Sequence, residues 1–144
     1  LLESTPRARA WYVLEGASAP DVILETEPFV LVIEGTLTEA ALTTATAWMP
    51  RRSHILRHMD NAYDIPGSRT VLGLMIVEEF DEATFGPTQH WLGAAASQVS
   101  DEMVEASLPH RPAAVRQELM DGFLGVTTWR AVAARCGLPW PPGS

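Results

Sequence analysis

Apolar residues fall in short dense runs over the first half of the chain and at spacings of three and four over the second. Residues 11–14 (WYVL) are aromatic and β-branched and give way to the small residues 16–20, which predicts a first strand ended by a turn. The runs 21–24 (DVIL) and 29–33 (FVLVI) flank Glu25-Thr26-Glu27-Pro28, a hairpin connection that keeps the proline out of the ladder. The second run is almost wholly apolar, as in a central strand covered on both faces. From Thr38 the spacing of Leu42, Ala45 and Trp48 predicts a helix or helical approach, and a better helix follows Pro50, with a stripe of Ile55, Met59, Ala62 and Tyr63. Pro66-Gly67-Ser68 ends it.

Residues 70–77 (TVLGLMIV) then predict a buried strand reached by a helical crossover, the strongest sign of an α/β arrangement. Beyond it the chain reads as helical to its end. One helix carries Trp91, Leu92, Ala95, Val99 and Met103, a second Val115, Leu119 and Phe123, and a last one Trp129, Val132, Ala133 and Cys136. The breaks fall at residues 109–112 and 125–128, and residues 138–144 read as a tail.

A length of 144 residues fits one domain over 1–144. Because the chain opens on Leu1 and not on a methionine, it is expected to be a trimmed piece, lacking an N-terminal helix. The net charge of -8 argues against a broad basic surface, so DNA would have to be met through a local patch. All ten basic residues are arginine, which excludes any chemistry that needs a lysine from this chain. The single Cys136 supports no internal disulfide and sits in an alanine-rich stretch that predicts a packed thiol. With no long apolar span and no signal-like segment in the sequence, a soluble cytoplasmic protein without membrane contact is expected.

Chemistry concentrates where the two strands end. Hairpin pairing brings Asp21 near Glu34, and two carboxylates at adjacent strand ends can hold Mg²⁺ or Mn²⁺ with water and a substrate phosphate. Glu34 follows five apolar residues and precedes Gly35, an unusual place for a solubilising side chain. The stretch 20–38 (PDVILETEPFVLVIEGTLT) resembles the restriction-endonuclease-like superfamily, whose sites carry Pro-Asp on one strand and Asp/Glu-x-Lys on the next. Pro20 and Asp21 match the first part, Glu34 the acidic residue of the second and Gly35 the variable place, while Thr36 stands where lysine is usual.

That resemblance, over about residues 11–77, implies a restriction-endonuclease-like α/β core with a mixed central sheet, crossover helix and C-terminal helices. It also implies metal-dependent phosphodiester hydrolysis of DNA. Asp21, Glu34 and the Gly35 carbonyl would be ligands, and the Thr36 hydroxyl could hold water but supply no positive charge. On the helix after Pro50, His54, His58 and Asn61 share one side with Arg51 nearby. Arg51 and Arg52 are candidates for binding phosphate, and His54 and His58 for taking a proton or for a zinc half-site, against the simpler expectation of helix-edge packing. Asp60 and Asp64 are expected to pair with nearby arginines or cap the helix. The alternative function is a catalytically inactive nuclease-like module that binds a protein partner, a second copy or nucleic acid, and a plain scaffold with incidental carboxylates is a third.

Overall fold

The structure is a computed structural model that describes residues 19–36, 43–46, 49–65, 67, 69–78 and 88–140. The strand expected at residues 11–14 lies outside them. Strand β1 (Val22–Glu25) turns back through Thr26, whose hydroxyl and backbone N–H both bond the Phe29 carbonyl at 2.9 Å, into β2 (Phe29–Thr36). The two pair antiparallel from Val22 opposite Ile33 to Glu25 opposite Val30, so the same register sets Asp21 across from Glu34. Along β2 the buried positions alternate as Val30, Val32 and Glu34, while Phe29, Leu31 and Ile33 are half-buried. The expectation of equal cover on both faces is thus corrected: one face holds the core, and Glu34 is the last position on it.

Residues 43–46 and 50–53 are not helical, contrary to the sequence pattern. Strands β3 (Thr43–Thr46) and β4 (Met49–Ser53) form a separate antiparallel pair. Three of the four β3 residues are threonine, whose branched β-carbon favours a pleated surface over a helix, and this outweighs the loose periodicity of the segment. Helix α1 (His54–Tyr63) starts only after Ser53, whose hydroxyl accepts the Leu56 N–H while its own N–H donates to Ser107 Oγ at 2.8 Å. Ile55, Leu56 and Met59 are fully buried in the core between α1 and the sheet.

Helix α1 leads into β5 (Thr70–Val77), which runs parallel to β2 from Thr70 beside Phe29 to Val77 beside Thr36. Gly73 lets α1 approach: a β-carbon there would collide with the Met59 thioether. Helices α2 (Thr88–Ala96), α3 (Asp101–Ser107) and α4 (Ala113–Asp121) follow.

The chain does not stay helical. Phe123–Thr128 forms β6, parallel to β5, which completes a mixed four-stranded sheet of order β1-β2-β5-β6 flanked by helices, the restriction-endonuclease-like α/β arrangement that was expected. The glycine read as a helix break, Gly125, sits at φ 108° where the register shifts and leaves Leu124 exposed, so it is a bulge in a strand and not an interruption between helices. Gly122, just before, packs its α-carbon against the Val71 carbonyl, where a β-carbon would collide with the oxygen. Thr128 caps the last helix, α5 (Trp129–Arg135), through the Ala131 N–H at 3.1 Å. Cys136 is exposed at the end of α5 and not packed as expected. Among the described residues no helix is long and apolar enough to cross a membrane.

The side of α1 away from Glu34 is held by charge. Asp60 is buried and takes Arg52 Nη2 at 2.8 Å, His110 Nε2 at 2.9 Å and the Arg111 guanidinium, while Arg111 also reaches Asp64 at 2.8 Å and lies over the Tyr63 ring. This joins β4, α1 and the turn between α3 and α4. Burial alone would raise the Asp60 carboxyl, but the bond and charge of His110 and the charge of Arg111 overcome it and leave the group below its ordinary value. Ionised Asp60 therefore stabilises the fold above pH 3.8, and that contribution is lost as pH falls through its lower folded value. Asp60→Asn leaves Arg52 buried beside a neutral amide and is expected to cost about 3–5 kcal/mol at pH 7 in urea unfolding. The gap to wild type should close on acidification; a gap independent of pH would contradict the ionised clamp.

Candidate metal centre

Glu34 emerges from the apolar face of β2 at the point where α1 begins, and only 5% of it is exposed. The helix supplies two imidazoles there because residues four apart lie one above the other on a helix face. His58 Nε2 lies 3.2 Å from Glu34 Oε1 and His54 Nδ1 lies 3.6 Å from Oε2, so each carboxyl oxygen faces a different ring. The ring centroids are 4.7 Å apart and the rings tilt by 56°, so they converge on the carboxyl instead of stacking. One ligand atom from each of the three residues falls within 4.8 Å of the others. His58 is closed off at 1% side-chain exposure, whereas His54 is open at 41%, which makes the cluster a site with one accessible side.

Burial pushes the His58 imidazole down to about 4, assisted by the neighbouring His54, Arg57 and Arg52 and opposed by Asp21. At neutral pH its ring is uncharged and keeps a lone pair for a proton or an ion. The contact with Glu34 is one between a carboxyl and a neutral imidazole, not an ion pair.

Asp21, exposed and opposite Glu34, accepts the Gly35 N–H through Oδ2 at 2.8 Å. That bond fixes its carboxylate to the end of β2. Gly35 is needed for close approach, since a β-carbon would stand 2.7 Å from Trp129 Cζ2 and 3.6 Å from Asp21 Oδ2. Trp129, read from sequence as a core residue, thus forms a wall beside the strand end that carries both carboxylates. Thr36 closes β2 beside Val77.

Comparison with family models, curated proteins and solved structures finds no match.

The sequence-derived candidates therefore separate. Glu34, His54 and His58 come together as a set that could hold an ion, and Asp21 is bonded to the Gly35 backbone beside Glu34. Arg52, a candidate for phosphate, is 2% exposed and ion-paired with Asp60, on the side of α1 away from Glu34. Arg51 lies in β4, and its side chain falls outside the described residues. Sequence reasoning had the pair of histidines and the carboxylate separately; the parallel β2-α1-β5 connection is what joins them. The donor chemistry fits a divalent ion: two imidazole nitrogens and a carboxylate oxygen around one point.

In the metal-free protein, His58 is neutral down to about pH 4 when folded but takes a proton near 6.5 when unfolded. Its contribution is present above pH 6.5 and is lost as pH falls towards 4, a loss of about 3 kcal/mol. Imidazole NMR should give a His58 midpoint near 4. A midpoint at or above 6.5 would contradict the buried neutral ring.

Proposed function

We propose that this chain is a divergent, metal-dependent phosphodiesterase of the restriction-endonuclease-like kind that acts on DNA. The observation that carries it is the convergence of Glu34, His54 and His58 at the end of a central strand in a mixed α/β sheet, with Asp21 on the adjacent strand. The order of Pro20, Asp21, turn, strand and Glu34, followed by a crossover helix and a parallel strand, supports membership of that superfamily.

Glu34, His54 and His58 would hold the ion, and a divalent ion there would lower the pKa of an attacking water and offset charge that develops on the phosphoryl group. Asp21, fixed by the Gly35 N–H and open to solvent, orients the water and accepts its proton as the new P–O bond forms and the ester P–O bond breaks. His54 borders the open side, where the phosphate enters. Thr36 supplies no cation in the place of the usual lysine, so charge stabilisation falls to the ion alone.

The second reading, an inactive module for association, draws on the same Thr36 and on the outer strand β1, where Val22, Ile23 and Leu24 are 41%, 43% and 48% exposed. The deciding test gives purified protein Mg²⁺, Mn²⁺ or Zn²⁺ with labelled single- and double-stranded DNA, beside Glu34→Gln and Asp21→Asn. Metal-dependent cleavage reduced at least about 100-fold in both variants is expected, given what loss of even outer partners costs metal sites. Cleavage that is equal in wild type and variants would contradict the assignment. Tight DNA or protein binding without cleavage would favour the module.

A further inference from the structure

We infer that Glu34, His54 and His58 form a site for a borderline first-row transition ion, zinc foremost, and not for Mg²⁺. The inference rests on the site proposed above but not on the reaction assigned to it. Its first support is donor chemistry. Mg²⁺ takes oxygen ligands and keeps much of its water, whereas imidazole nitrogen suits zinc, cobalt and nickel. Two of the three converging donors here are imidazole nitrogens.

Spacing is the second support. Two donors held about 2.0–2.1 Å from one ion at a tetrahedral angle stand about 3.3–3.4 Å apart. The Glu34 oxygens lie 3.2 Å from His58 Nε2 and 3.6 Å from His54 Nδ1, close to that value though through different oxygens, and one donor atom from each residue falls within 4.8 Å of the others, so a bound ion would draw the three together. Here each oxygen meets its own ring, and the two rings come from adjacent turns of a helix whose start is fixed by Ser53 and whose far side is fixed by Asp60. The donors are thus preorganised by contacts that do not involve them.

Enclosure is the third. Three protein ligands with one open side is the arrangement of a zinc site that leaves a position for water or substrate, in contrast to a closed four-ligand structural site. His54, half-exposed, lies on that open side, while Glu34 and His58 are buried.

The test uses tag-free, metal-free protein titrated with Co²⁺, whose visible bands report nitrogen and oxygen coordination without any substrate. Bands that saturate at one Co²⁺ per chain, that vanish on addition of Zn²⁺ and that persist in about a thousandfold excess of Mg²⁺ are expected. His54→Ala should weaken Co²⁺ binding at least about 100-fold, since loss of outer partners alone reaches that range. Because His54 is half-exposed, this variant should keep the wild-type circular dichroism; Glu34→Gln serves as the second ligand variant. Displacement of Co²⁺ by Mg²⁺ at comparable concentration, or unchanged binding in a folded His54→Ala protein, would overturn the inference. Absence of DNA cleavage with every ion, alongside the expected Co²⁺ behaviour, would instead sink the phosphodiesterase assignment and leave the metal site standing.

Discussion

A carboxyl group at the last buried position of an apolar strand is tolerated only where its oxygens find partners, because an uncompensated charge in such surroundings costs several kcal/mol. At Glu34 the nearest such groups are the imidazoles of His58, 3.2 Å from Oε1, and of His54, 3.6 Å from Oε2. The condition constrains much else. Helix α1 must turn residues 54 and 58 towards β2; it must lie close to the sheet; and β1 must start beside the end of β2 so that Asp21 can bond Gly35. Each requirement is met by a different local device.

Ser53 sets the start, capping α1 while its own N–H is held by Ser107. Gly73 sets the closeness, because Met59 occupies the space a side chain would need. Asp60, on the far side of α1, sets the rotation by tying the helix to Arg52, His110 and Arg111. The site and the clamp are two polar faces of one ten-residue helix, separated by its apolar stripe, so one stabilises the geometry of the other without sharing a ligand. The arginine that sequence spacing offered to a phosphate is spent on that clamp.

Much of this was legible in the sequence. Two dense apolar runs around the Glu-Pro turn marked β1 and β2, the continuous apolar run marked β5, and the helical stripe after Pro50 marked α1 with its histidine pair on one side. The pairing of Asp60 with the nearby Arg52 and the place of Asp64 at the helix end were as read, whereas Arg111, which pairs with both, lies far along the chain. What was not legible depended on partners far along the chain. The threonine-rich β3 carries a weak helical periodicity that pairing with β4 overrides, and β6 was hidden because a bulged strand with Gly125 at positive φ has the same local signature as a break between helices. The joining of Glu34 to His54 and His58 needed the direction of the crossover, which no residue pattern states. Trp129 against Gly35 is a contact across 94 positions of chain, and only the placement of β6 beside β5 brings it about.

The departure at Thr36 takes on a different weight in this setting. A lysine at the strand end stabilises charge in place, and its absence would leave a two-carboxylate site poor in positive charge. Two imidazoles on α1 stand beside Glu34 instead, donors that could hold a transition ion at this strand end. The most direct measurement of this is anomalous diffraction at the zinc edge from crystals of the protein grown with Zn²⁺. One strong peak between the Glu34 carboxyl and the His54 and His58 rings is the predicted result, and a peak bound by Asp21 and Glu34 without either histidine, or none at this strand end, would contradict it.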